Sequence, residues 1–395
     1  MTNPFEAYIQ SIDQAQLSAR LGSIHQSNQF ELGQWGYQAL IKGSSTGNVF
    51  RLKGNGYDNG KLVTWSLILK FTPAPETDQT DAQVAFGDDS SHWNYWKREL
   101  RFYQSSLPDN LPIGLSVPRC FHIEEQSDGY WLWLEDVADL YEHKWPISRF
   151  GLAARHLARF SGAYLVDVEL PTYPWLTKDK DLIRHWEEQV INLDVWAKIR
   201  QLRDKHPLVR RGWPDTILAD LSRLWQEREM FFEILEQLPK TLQHTDSGHR
   251  NLLARRDQAG NEQTVALDWA LIGIGTIGEE ITPLVCATQM WFGVETAHAS
   301  ELESVVFEGY LQGLRDTGWK GDPKLVRLGY LATTALRFGL LATWAPEMVT
   351  LDRKGQIGWE TMFGHPIETI VDNYVALRHF VLARADKARE LMASV

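Results

Sequence analysis

The segment His244-Thr245-Asp246-Ser247-Gly248-His249-Arg250-Asn251 concentrates chemistry more than any other part of this 395-residue chain. It sets a carboxylate and then a carboxamide in a short polar loop, and the strand-like Leu-Leu-Ala-Arg follows from Asn251 onward. Thr264-Val-Ala-Leu-Asp268 reads as a returning strand, with residues 256–262, which contain Ala-Gly-Asn, as the turn between them. Antiparallel pairing then brings Asn251 and Asp268 to the same open end of a hairpin, with Asp246 on the loop just before it. Two carboxylates and a carboxamide at one edge suit metal-assisted phosphoryl transfer. Mg²⁺ takes hard oxygen ligands and keeps several waters, so one or two carboxylates and the substrate's own phosphates suffice to hold it. A carboxylate kept off the metal orients a hydroxyl group and accepts its proton.

The elements that position this set follow from periodicity and punctuation. Residues 5–35 read as a polar helical extension. From about Tyr37 the runs YQALIKG, NVFRLKG and LVTWSLILKF are β-branched and aromatic, bounded by Gly, Asn and Asp. In the last run, Lys70 shares a face with Thr64, Ser66 and Ile68, while Val63, Trp65, Leu67, Leu69 and Phe71 line the other. A polar loop follows. SHWNYWKRELRFYQSSL then has helical spacing through Trp96, Leu100 and Tyr103. PRCFHIEEQSDGYWLWLEDV reads as two strands joined by a turn at residues 126–129. Beyond Asp139 the texture is helical at 147–165, 216–238, 323–344 and 365–392, interrupted by the β-like residues 251–269. The fold class is therefore α+β, with expected boundaries of a helical extension at 1–35, a small antiparallel-sheet lobe at 36–138 and a large helical lobe at 139–395.

Composition narrows the partners. Forty basic against 51 acidic residues give a net charge of -11 with no basic tract, which argues against nucleic acid and anionic membrane surfaces. Cys120 and Cys286 stand far apart, without zinc or disulfide spacing. MTNPFEAYIQ lacks the charged and apolar regions of a signal peptide, and no apolar run reaches membrane-spanning length, so the expected location is cytoplasmic. The 17 tryptophans are expected mainly as core filling.

HTDSGHRNLL followed by VALDWALIGIGTIGEEI resembles the catalytic segment of the aminoglycoside phosphotransferase and choline kinase superfamily, commonly H-G-D-x-x-x-x-N-L and then an apolar residue with Asp-Trp or Asp-Phe. The spacing also follows the protein kinase catalytic loop, with Asp-Trp replacing Asp-Phe-Gly. GSSTGNVFRL resembles the nucleotide loop, LILKF the strand with the phosphate-contacting lysine, WKREL the helix with its glutamate, and LWLEDV the hinge. The similarity runs over roughly residues 25–290 and looks closest to the broad phosphotransferase branch that includes ecdysteroid-kinase-like proteins. It implies a protein-kinase-like two-lobe fold using ATP and Mg²⁺ on a small-molecule hydroxyl substrate such as an aminoglycoside, amino alcohol or sugar.

It also implies roles. Asp246 is the expected catalytic base, with His244 buttressing its loop, and Asn251 and Asp268 are the metal ligands. Lys70, held by Glu99, contacts the α/β-phosphates, Gly43 and Gly47 bound the loop over them, and Leu134, Glu135, Asp136 and Val137 meet the adenine. The chain departs from the pattern at Thr245, where glycine is common, at Arg250, where small residues are common, and at Ala270, where a second acidic residue often follows. His249 and Arg250 face either the substrate or solvent. Acceptor specificity is expected from Trp291, Phe292, Trp344 and Trp359. The alternatives are a catalytically silent nucleotide-binding or scaffold protein of the same fold, against which the intact Asp246, Asn251 and Asp268 speak, and a kinase-fold enzyme that modifies protein or transfers AMP.

Overall fold

Residues 30–44, 47–58 and 61–73 form long strands because aromatic and β-branched side chains there alternate with polar ones. The structure, a computed structural model, describes residues 4–44, 47–75, 89–178, 180–192, 194–339 and 352–393. Two compact units emerge, one comprising Met1–Asn110 with Val117–Ala138, the other Leu111–Ser116 with Asp139–Val395.

The first unit begins with α1 (Pro4–Gln10) and α2 (Gln14–His25), continues through β1 (Phe30–Ser44), β2 (Gly47–Asp58), β3 (Lys61–Pro73) and α3 (Arg98–Gln104), and ends with β5 (Cys120–Gln126) and β6 (Gly129–Glu135). These strands form one antiparallel sheet of order β1-β2-β3-β6-β5. Asp58 pairs with Lys61 across Asn59 and Gly60, whose φ values of 49° and 78° are those of the tight hairpin turn that Asn-Gly favours. One sheet face buries Phe50, Leu52, Leu67, Leu69, Trp131 and Trp133 with Ile9, Leu17 and Leu21 of the two helices. The N-terminal segment is thus not a polar extension reaching residue 35: its helices end at His25, their apolar residues belong to the core, and β1 already begins at Phe30. On the other face Leu132 and Leu134 pack with Leu100, Trp96 and Ile68. Trp96 precedes α3 rather than lying within it. The buried Arg98 guanidinium donates to the carbonyls of His92 (2.7 Å) and Trp93 (2.8 Å), and this holds the residues before the helix in turns.

In the second unit, β4 (Leu115–Ser116) and helices α4 (Ile147–Val166), α5 (Asp181–Asn192), α6 (Val195–Arg203), α7 (Pro207–Gly212) and α8 (Asp215–Gln237) precede the strands β7 (Lys240–Gln243), β8 (Leu252–Arg256), β9 (Glu262–Ala266) and β10 (Gly273–Thr276). Helices α9 (Ile281–Met290), α10 (Ala299–Asp316) and α11 (Pro323–Thr333), a π-helical turn at Thr334–Phe338, α12 (Arg353–Phe363) and α13 (Ile367–Met392) follow. Helices α4 and α10 approach so closely that a Cβ on Gly309 would lie 2.1 Å from the Gly151 carbonyl oxygen. Trp213 and Trp269 are fully buried, as are Trp131 and Trp133 at 1% exposure in the first unit, in keeping with tryptophan as core filling. Among the described residues no helix is long and apolar enough to cross a membrane.

Candidate active site

Two short ladders hold the loop that carries Asp246. β7 pairs antiparallel with β10, Gln243 opposite Gly273, and β8 pairs with β9, Leu252 opposite Ala266. Residues 244–251 therefore leave one ladder and enter the other, and residues 267–272 make the same passage in reverse. Asn251 is not the first strand residue; it closes a 3₁₀ turn at His249–Asn251, and its carbonyl accepts from Leu267 N at 2.8 Å. Asp268, at φ 55°, opens a second turn at Trp269–Leu271. Both residues sit just past the last paired rung, where the backbone is free to turn.

Within the loop, Asn251 Nδ2 donates to Asp246 Oδ2 (2.8 Å) and to the Asp246 carbonyl (2.9 Å). The other carboxylate oxygen, Oδ1, lies 3.7 Å from Nη2 of Arg337, and the Asp246 side chain keeps 37% of its surface open. His244 is fully buried. Its Nε2 lies 2.7 Å from the Leu267 carbonyl, and its Nδ1 accepts from Asp246 N at 3.2 Å, which assigns the proton to Nε2. Its ring also meets Trp269 edge-on at 4.5 Å. With both nitrogens engaged, His244 buttresses the loop. Its backbone N–H donates to Glu280 Oε2 at 2.7 Å, and Ser247 Oγ donates to the Glu280 carbonyl. Burial pushes the Glu280 carboxyl up to about 8.

Because Asn251 commits its amide nitrogen to Asp246, its amide oxygen is the atom left to offer, and with the Asp268 carboxylate it is of the hard-oxygen type that a divalent cation takes; no cluster of three acidic, His or Cys side chains suited to a metal stands among the described residues.

In the first unit, β3 places Lys70 opposite Val49 and Leu132. Its Nζ lies 2.6 Å from Glu99 Oε2 of α3, with the two side chains 9% and 3% exposed. Leu134 and Glu135 end β6, and Asp136 and Val137 follow; Asp136 pairs with Arg51 at 2.8 Å. Gly43 lies near the end of β1 and Gly47 starts β2, with Ser44 opposite Gly47, while residues 45 and 46 of that connection lie outside the described residues.

The aromatic residues named for specificity divide. Trp291 stacks on Phe363 (4.5 Å, 16°), and Phe363 stacks on Trp359 (5.2 Å, 8°). The Arg250 guanidinium covers Trp291 at 4.2 Å. Phe292 stacks on His365 at 4.1 Å beside this ladder. Trp344 lies outside the described residues. His249 is 8% exposed, and burial holds its ring down at about 4. Sequence spacing gave no sign of Glu280, Arg337 or Phe363, each brought in from a distant helix or its approach.

No family model matches the chain, and no curated protein matches it. Solved structures do. An aminoglycoside phosphotransferase from Alicyclobacillus acidocaldarius superposes with a TM-score of 0.50 at 13% identity, over 91% of this chain and 93% of that one. A choline kinase from Cryptosporidium parvum gives 0.48 at 12% identity, over 91% and 90% of the two chains. A choline/ethanolamine kinase family protein from Mesorhizobium loti gives 0.46 at 14%, over 95% and 98%. The chain has the aminoglycoside phosphotransferase-like fold: an antiparallel-sheet unit and a larger helical unit of the protein-kinase-like type.

Proposed function

We propose that this protein is a small-molecule kinase that transfers the γ-phosphoryl group of ATP to a hydroxyl group, with Asp246 as base. The observation that carries this reading is the division of labour in one loop. Asn251 uses its amide nitrogen to fix one carboxylate oxygen of Asp246, while the second oxygen lies 3.7 Å from Arg337 on a side chain that keeps 37% of its surface. Asp246 orients the acceptor hydroxyl and takes its proton as that oxygen bonds to the γ-phosphorus. The bond from the γ-phosphorus to the β,γ-bridging oxygen breaks, and ADP leaves with those electrons. Asn251 and Asp268 would hold Mg²⁺, which when bound would neutralise charge on the phosphates. Lys70, oriented by Glu99, stabilises charge on the phosphates without reorganising, and the backbone at 134–137 meets the adenine. The acceptor is a small hydroxyl compound of the aminoglycoside, amino alcohol or sugar type, and the ladder Trp291-Phe363-Trp359 lines its side of the site. We place the reaction in the cytoplasm, where ATP is supplied.

The test is ADP release from MgATP across a panel of hydroxyl compounds, run beside Asp246→Asn. Acceptor-dependent ADP release that this variant abolishes supports the reading. An acceptor-independent wild type, or an equally active variant, contradicts it.

A further inference from the structure

Thr245 stands at φ 66°, in the left-handed region where a β-branched residue is strained and glycine is not. Its surroundings hold it there. Oγ1 donates to the Leu271 carbonyl at 2.5 Å. The peptide joining Thr245 to Asp246 is pinned at both ends: its carbonyl accepts from Arg337 Nη1 at 2.6 Å, and its N–H donates to His244 Nδ1 at 3.2 Å. Arg337 is itself 6% exposed and comes from the π-helical turn Thr334–Phe338, a rare geometry that recurs at functional sites. Its other terminal nitrogen lies 3.7 Å from Asp246 Oδ1.

We propose that Arg337 is a positioning residue for the catalytic loop: by holding the Thr245 carbonyl it stops a strained peptide from turning over, and so keeps the Asp246 carboxylate aimed at the acceptor hydroxyl. The inference rests on the reading of Asp246 as the base. A buried arginine that merely satisfies a carbonyl contributes to stability whatever residue accepts from it. A pin against strain matters only while residue 245 has a Cβ. Glycine at that position occupies the left-handed region freely, so it makes the pin dispensable.

The experiment compares wild type, Arg337→Met, Thr245→Gly and the double variant by steady-state kinetics and by hydrogen exchange at the Asp246 amide. Arg337→Met is expected to lower kcat about 10²-fold, the scale of a small misplacement of a reacting group, with the KM for MgATP within about twofold. The same variant speeds exchange at the Asp246 amide, because the peptide is free to open. The double variant is expected to recover kcat about tenfold and to restore amide protection. A kcat loss that Thr245→Gly leaves unchanged, or an Asp246 amide that exchanges as in wild type when Arg337 is replaced, overturns the proposal. Should Arg337→Met fail to fold, the comparison is made with Arg337→Lys against Thr245→Gly with Arg337→Lys, and the same outcomes decide. Should no acceptor be phosphorylated at all, the base assignment fails, while the exchange comparison still decides whether Arg337 pins the peptide.

Discussion

One amide group joins Asn251 to Asp246: Nδ2 of Asn251 donates to both the carboxylate (2.8 Å) and the carbonyl (2.9 Å) of Asp246. The residue proposed for the metal therefore also orients the residue proposed for the proton, and removing Asn251 should injure both functions. Asn251→Ala is expected to weaken MgATP binding about tenfold and to lower kcat as well, as loss of one charge-assisted hydrogen bond and one metal ligand implies. Isothermal titration of MgATP alongside turnover measures the two effects. Loss of binding with kcat intact would show that the bond to Asp246 is incidental.

The Lys70–Glu99 pair is nearly closed to solvent, at 9% and 3% exposure. Removing one partner of a buried pair leaves the other charge unsatisfied, whereas removing both charges is often tolerated. Lys70→Met should therefore lower the melting temperature and reduce kcat about 10²- to 10³-fold. Lys70→Met combined with Glu99→Gln should regain most of the melting temperature and none of the activity. Calorimetry and turnover on the three variants separate stability from catalysis, and recovery of activity in the double variant contradicts the phosphate role of Lys70.

Glu280 gives a pH signature. Its carboxyl is raised from 4.5 to about 8 by burial. Between those values the folded state holds a proton that the unfolded state has released, so its contribution to stability is full below 4.5 and is lost as pH rises toward 8. Glu280→Gln carries no such proton. The stability of wild type relative to this variant should fall by about 1.4 kcal/mol per pH unit across that window. Chemical denaturation at several pH values reads the difference, and a constant gap would mean that Glu280 is ionised in the fold.

The stack of Arg250, Trp291, Phe363 and Trp359 should act on the acceptor alone. Trp291→Ala is expected to raise the acceptor KM about three- to tenfold, the scale of one aromatic contact, and to leave the MgATP KM unchanged. An equal rise in both would move the ladder out of the acceptor site.

Much of this arrangement is legible in the sequence because it is local. Alternation along LVTWSLILKF sets Lys70 on the face opposite Trp65, Leu67, Leu69 and Phe71, and the turn between Arg256 and Glu262 brings Asn251 and Asp268 to one hairpin end. What is not legible is long-range or too short to carry a period. The ladder between β7 and β10 rests on four-residue strands, Lys-Thr-Leu-Gln and Gly-Ile-Gly-Thr, with no alternation to read. Glu280 and Arg337 reach the loop from 36 and 92 residues away, and no spacing rule links an isolated Glu or Arg to a loop so distant. The strain at Thr245 is visible only once the backbone is traced, although its place in a slot where glycine is common in the resembling superfamily hinted at it.

The central claim is that Asp246 takes the acceptor's proton, and single-turnover phosphoryl transfer by Asp246→Asn tests it most directly. The account predicts a rate lower by about 10²- to 10⁴-fold, the contribution typical of a positioned base, with MgATP affinity and melting temperature near those of wild type. Transfer at close to the wild-type rate, by a variant that still binds MgATP, contradicts it.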